Sequence, residues 1–349
     1  MNRLFLPLLL TACQSGLDPT LPLQDAVDQR VDALSHRASQ GIAVAVVRDG
    51  ERLVSSTVGE ARPGEPMTLS TPTYLASVSK PLTATVVLQL AGEGALDLDA
   101  PVSTYRDGLP TWLGVVTARQ LLQHTAGVPN WFELVHVGGP CLDAVSGTTN
   151  RDVLKLVREV GTLDFDPGTA GHYSNGGYVL LAEIASDVAR MPFAALTQER
   201  LGADFRVETE ANADAPRARG TRRSGADCDY DLLTTGAGGT VGSVEDLLRL
   251  GEGWLAPDVL VDEAFYTQAT QPDAPALVPE ADGHGLGWFV TETATGTALW
   301  HTGHYAGFAT VWVVRPADGL VVAAVSNGST PAVADLGLEI LAHPDLAGP

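Results

Sequence analysis

Strand-forming residues lie near the two ends of this chain and helical patterns fill the middle, so any sheet it builds must join segments far apart in sequence. "GIAVAVVRDGERLVSSTVGEA" places two β-rich runs around Asp49-Gly50, a dipeptide that favours a tight hairpin. Strand signals return only in "HGLGWFVTE" and "ALWHTGHYAGFATVWVVRPADGLVVAAVSN". Between them, from Ser77 to about Leu201, apolar residues recur at helical spacing, and a polar, Gly- and Asp-rich excursion runs from about Gly202 to Asp231. "LQDAVDQRVDALSHRA" and "PAVADLGLEILAH" add a helix at either end. The expected class is α/β (α+β). Residues 23–76 and 232–349 form one discontinuous domain with an antiparallel sheet flanked by helices, and residues 77–231 form a mostly helical lobe beside it. At 349 residues and 45% apolar, the chain can bury a large core. The crevice between the lobes is the expected place for a site.

The first residues, "MNRLFLPLLLTAC", carry one basic residue and an apolar run from Leu4 to Leu10, then Leu10-Thr11-Ala12-Cys13. Such a run is too short to span a bilayer but suits the apolar region of a signal peptide. Its end resembles the lipobox of bacterial lipoproteins. Residues 1–12 are then a signal peptide, Cys13 is lipidated, residues 13–22 are a tether, and the protein is exported and held at a membrane by lipid alone, on the periplasmic or cell-surface side. The alternative is an ordinary secretion signal. In the mature chain Cys141 and Cys228 remain, either as a disulfide or as two buried thiols. A net charge of −21 argues against nucleic acid as a partner, and the short "RARGTRR" run sits among acidic residues. A monomer is expected.

Lys80 and Lys155 are the only lysines; every other basic residue is arginine. Lys80 stands in Ser77-Val78-Ser79-Lys80-Pro81. Proline fits the first turn of a helix, so Pro81 fixes a helix start close to Ser77. Ser77 then lies at the positive helix end, near unpartnered N–H groups. Three residues on, Lys80 returns to the same face and reaches the Ser77 hydroxyl. A half-buried amine at a cationic helix end has a depressed pKa and accepts a proton, which arginine cannot do. A serine three before a lysine also arises by chance, so the spacing alone is weak.

Four further stretches occur in order: "GEGALDLDAPVSTY", "TARQLLQHTAGVP", "FDPGTAGHYSNGGYVLLAEI" with Tyr173-Ser174-Asn175, and "HTGHYAGFATVWVVRP" with His301-Thr302-Gly303. With the Ser-x-x-Lys element they resemble the penicillin-recognising serine hydrolases: class C β-lactamases, D-alanyl-D-alanine carboxypeptidases, D-aminopeptidases and related esterases. The resemblance spans about residues 25 to 345 and implies the β-lactamase/transpeptidase-like fold. It implies that Ser77 is the acylated nucleophile, with Lys80 and Tyr173 sharing the base work and Lys80 favouring a Tyr173 phenolate. Asn175 would bind the substrate amide and steady Lys80, and the N–H groups of Ser77 and His304 would form the oxyanion hole beside Gly303. His301 and Thr302 would line the side where substrate polar groups dock. His124 would be structural, and Trp131 either rims the pocket or packs at the surface. No metal or cofactor is implied.

Two departures bear on the substrate. The third element is His-Thr-Gly where many β-lactamases and penicillin-binding proteins have Lys-Thr-Gly, which leans away from a dedicated β-lactamase. No arginine lies near it to hold a substrate carboxylate. The expected activity is a D-alanyl-D-alanine carboxypeptidase-like amidase on small molecules or peptidoglycan-derived peptides. The alternatives are an esterase or a β-lactamase of the same fold, with β-lactams as further ligands, or a catalytically silent binding lipoprotein.

Overall fold

The computed structural model describes residues 16–35, 40–135, 145–202, 204–209, 215–221, 233–305, 307–328 and 330–347. The expected signal peptide and Cys13, together with Cys141 and Cys228, lie outside the described residues.

Strands β1 (Ile42–Arg48), β2 (Glu51–Val58), β3 (Gly283–His284), β4 (Phe289–Thr293), β5 (Gly296–Tyr305), β6 (Phe308–Arg315) and β7 (Leu320–Ser326) form one antiparallel sheet in the order β2-β1-β7-β6-β5-β4-β3. The two ends of the chain meet where β1 pairs β7 along its whole length, from Ile42 opposite Ser326 to Arg48 opposite Leu320. The β1–β2 turn uses Asp49 at φ 50° and Gly50 at φ 77°. That left-handed pair matches the twist of the strands it joins.

Both faces of the central strands are covered, which is why β1 and β7 read as unbroken apolar runs. Ile42, Val44, Val46, Leu320, Val322 and Ala324 face one cluster, packed by helix α1 (Leu23–Ser35) and the C-terminal helix (Ala332–Leu341). Ala43, Ala45, Val321, Ala323 and Val325 face the other cluster, which also takes in helices α2 (Ser79–Gly92), α3 (Asn175–Ala189) and α4 (Val244–Glu252). Helix α4 lies close against the sheet: a Cβ on Gly251 would fall 2.5 Å from Val321 Cγ1. Trp254, Trp288 and Trp312, fully buried, fill the seam with ring centroids 5.3 and 4.7 Å apart. Helix α2 is apolar nearly all round because it is buried among these elements and α3. Its N-terminus, the N-terminus of α3 and the far end of β5 converge on one cavity.

Candidate active site

A single turn of 3₁₀-helix, Ala76–Val78, leads directly into α2 and carries Ser77. Ala76 sits at φ 48°, a left-handed conformation that costs a non-glycine residue about 1–2 kcal/mol. The turn is held from below. Leu75 N–H donates to Thr240 O (2.9 Å), Gly239 N–H to the Tyr74 hydroxyl (2.8 Å) and Thr240 N–H to Ser79 Oγ (3.2 Å). Ser77 faces a cavity of about 330 Å³ whose walls include Tyr74, Asn130, Phe132, Tyr173, Asn175 and Tyr305.

Lys80 is fully buried, and Nζ has three close neighbours: Asn175 Oδ1 at 2.7 Å, Ala237 O at 2.9 Å and Ser77 Oγ at 3.1 Å. Two of these can only accept a proton. The Ser77 hydroxyl alone has one to give. A neutral amine therefore places two N–H groups on the acceptors and aims its lone pair at Ser77 Oγ. Burial favours that neutral form, holding Lys80 well below the usual lysine range. The Tyr173 ring lies 4.6 Å from Nζ, and its hydroxyl is within hydrogen-bonding reach of Ser77. Burial pushes the Tyr173 phenol up, and the bond to Ser77 offsets this only in part. Burial thus works against both charged forms, the Tyr173 phenolate and the Lys80 ammonium. Desolvation disfavours an ion pair here.

Tyr173 is oriented from behind by His124, whose ring stacks on it at 4.5 Å between centroids. His124 Nδ1 accepts from Ser174 N–H at 3.0 Å, which fixes the ring and supports the expected structural role for this residue. Ser174 Oγ caps α3 by accepting from Gly177 N–H, and so places Asn175 at the first turn.

The strand β4 pairs with β5 only as far as Trp300, leaving His301–Tyr305 as an edge beside Ser77. Gly303 is needed there: a Cβ would lie 2.3 Å from Leu75 O and 3.1 Å from Ser77 N. The Ser77 N–H has no acceptor among the described residues, and His304 also borders the cavity. We expect Gly303→Ala to cost about 1–3 kcal/mol, because both obstructing atoms are backbone. Acylation should slow about 100-fold as the Ser77 turn is displaced. Thermal unfolding and a burst assay would read both, and an unchanged burst would refute the close-approach role.

Three expected placements are corrected. His301 does not line the cavity: it is 1% exposed, stacks on Phe289 at 4.7 Å, and its Nδ1 bonds Thr302 O at 2.6 Å. Thr302, on the opposite face of the strand, is half-buried and is not among the described cavity residues. Trp131 is neither a rim nor a surface residue but a buried anchor, 1% exposed; its neighbour Phe132 lines the cavity instead. Residue reading missed Asn130, a cavity residue that contacts Asn175, and the Ala237 carbonyl on Lys80. A backbone carbonyl leaves no side-chain signature. The only trace was the glycine run around it, where Gly236 sits at φ 88° with a Cβ position 2.3 Å from Tyr178 O.

A family model described as Beta-lactamase matches residues 23–343. The chain is 25% identical over 317 residues to the D-alanyl-D-alanine-carboxypeptidase/endopeptidase AmpH of Escherichia coli (strain K12), covering 84% of this chain and 80% of that protein. It is 27% identical over 376 residues to esterase EstB of Burkholderia gladioli, covering 90% and 94%. Among solved structures, SurE superposes with a TM-score of 0.73 at 28% identity, covering 94% of this chain and 76% of that one.

Proposed function

The chain belongs to the β-lactamase family and is a serine hydrolase, and from that premise we propose that it cleaves ester and uncharged amide carbonyls through an acyl group on Ser77. The observation that carries this reading is the disposition of Lys80 Nζ, with two acceptors holding its protons and the Ser77 hydroxyl as third neighbour.

In the first half-reaction Ser77 Oγ attacks the carbonyl carbon and its proton passes to Lys80 Nζ. The carbonyl oxygen gathers charge at the Ser77 N–H and at the β5 edge beside Gly303, where His304 supplies the second donor. The carbonyl–leaving-group bond breaks, and the departing alkoxide or amine takes the Tyr173 hydroxyl proton, which the Lys80 ammonium replaces. Water then attacks the acyl-Ser77 ester and gives its proton to the same pair, freeing the acid and regenerating Ser77. Lys80 and Tyr173 act as one coupled pair.

The cavity favours one substrate class. Its described walls carry no arginine, no exposed lysine and no carboxylate, and His304 is held below the usual histidine range by burial. A substrate ending in a free carboxylate finds no cationic partner among these residues, whereas an ester or a primary amide needs none. This moves the preference from a D-alanyl carboxypeptidase towards an esterase or D-amino-acid amidase, and AmpH keeps the carboxypeptidase as the second reading. Rates on a p-nitrophenyl ester, a D-amino-acid amide, a D-Ala-D-Ala peptide and a cephalosporin would decide it. We expect the ester and amide to exceed the dipeptide by about 10- to 100-fold in kcat/KM, the cost of leaving a charged group unpaired. Release of terminal D-Ala at an equal or greater rate would overturn the preference.

A further inference from the structure

We propose that Asn130 is a positioning residue that dictates which end of the Asn175 amide faces Lys80, an inference that rests on the acyl-enzyme reading above. The argument is one of hydrogen-bond polarity. Lys80 Nζ and Asn175 Oδ1 stand 2.7 Å apart. With the amide reversed, its NH₂ group would face the amine, and one of the two proton-holding acceptors would be lost. Lys80 could then satisfy Asn175 only by offering its lone pair, the same lone pair that must take the Ser77 proton.

Nothing in Asn175 itself fixes its orientation. Asn130 does. Its Oδ1 accepts from Asn175 Nδ2 at 3.1 Å and from the Asn175 backbone N–H at 3.3 Å. Because the backbone N–H can only donate, the atom of Asn130 that faces it must be the oxygen, and that oxygen then also takes the side-chain NH₂. The other end of Asn130 is fixed as well: Nδ2 donates to Glu133 Oε1 at 3.0 Å, and a carboxylate can only accept. A single direction of donation therefore runs from Lys80 through Asn175 and Asn130 to Glu133, with no member able to reverse alone.

The backbone is built to bring these groups together. Asn130 precedes the short helix Trp131–Leu134, anchored by the buried Trp131. Gly176, next to Asn175, has a Cβ position 2.6 Å from Pro129 O, so any side chain there would push the Pro129–Asn130 segment away from α3. Ser174 Oγ donates to the same Pro129 carbonyl at 3.4 Å.

Tyr173 and Tyr178 lie over Lys80, and the buried His124, His284 and His301 stand behind them. Glu133 faces the half-exposed His172 at 3.5 Å, and Asp164 stands on the far side of that imidazole. None of these can substitute for the Asn130 oxygen, since the Asn175 backbone N–H has Asn130 as its acceptor.

Two variants separate positioning from mere support. Asn130→Leu keeps the size and removes the acceptor, and the burst of p-nitrophenol from full-length protein should slow about 10- to 100-fold at its pH plateau, with KM within about threefold of wild type. Asn130→Asp combined with Glu133→Gln keeps the acceptor towards Asn175 and gives the second Asp oxygen an amide donor where a carboxylate would repel it, so its plateau should stay within about threefold of wild type. The charge, moved closer to Lys80, favours the Lys80 ammonium and should move the acid limb of the pH–rate curve upward. If Asn130 only props the loop, both variants should lose plateau rate in step with their melting temperatures and neither should move the limb; that outcome overturns the proposal, as does an Asn130→Leu plateau within twofold of wild type. Failure of the acyl-enzyme reading is distinct, because the wild-type protein itself would then give no burst.

Discussion

Ser77→Ala should reduce kcat by about 10⁵- to 10⁶-fold, leaving the fold and the melting temperature nearly unchanged. Ser77 supplies the atom that is acylated, so its loss removes the pathway. The cavity, the N–H at position 77 and the β5 edge all remain, and they leave the small residual rate that transition-state binding alone provides. The structural cost is slight. Ser77 is half-buried at the cavity floor, and its Oγ contributes to neither of the backbone bonds that anchor the turn at Leu75 and Thr240. Steady-state turnover of a p-nitrophenyl ester, with circular dichroism as control, would measure it. Turnover within tenfold of wild type would place the nucleophile elsewhere.

Lys80→Arg is the second large effect, although it keeps the charge. We expect acylation to fall by about 10²- to 10⁴-fold, the range of a lost general base. Arginine cannot give up its proton, and a guanidinium presents only donors to Ser77 Oγ where the amine presents a lone pair. It is also larger than a site that leaves lysine no exposed surface. Lys80→Met controls for this: unbranched and flexible, it fits the channel without charge and should be as inactive as the arginine variant. Stopped-flow bursts on both variants give the comparison. An arginine variant that acylates at a wild-type rate would exclude proton transfer to this position.

Folding stability follows the same proton. The folded Lys80 pKa lies below that of the unfolded chain, so between the two values the unfolded chain binds the extra proton. The contribution of this site to stability therefore rises with pH across that window and is level below the folded pKa.

Much of this was legible in the residues themselves. The hairpin at Asp49-Gly50 and the apolar runs at both ends gave the joined sheet, because a buried two-sided strand leaves a continuous apolar signature. The helical spacing of Ser77 and Lys80 gave their contact. Tyr173 and Asn175 came only with the ordered motifs, since on their own they read as a core tyrosine and a turn residue before Gly176-Gly177. His301 was misplaced for a plain reason. Period-two alternation says which residues share a strand face, but not which of them is covered, and here His301 is covered by Phe289 and Tyr173 while Gly303, on the same face, meets the Ser77 turn. Ala237 and Asn130 were out of reach because their roles depend on where the chain returns in space, on a carbonyl in one case and on a residue at the start of a short helix in the other.

The central claim is that a neutral Lys80 takes the Ser77 proton, and the pH dependence of the acylation burst tests it most directly. For wild-type protein and a p-nitrophenyl ester, the rate should rise tenfold per pH unit through a single ionisation well below the ordinary lysine value of 10.5 and then level off. A rate that keeps climbing towards or beyond pH 10 would hand the proton to the Tyr173 phenolate and contradict the account.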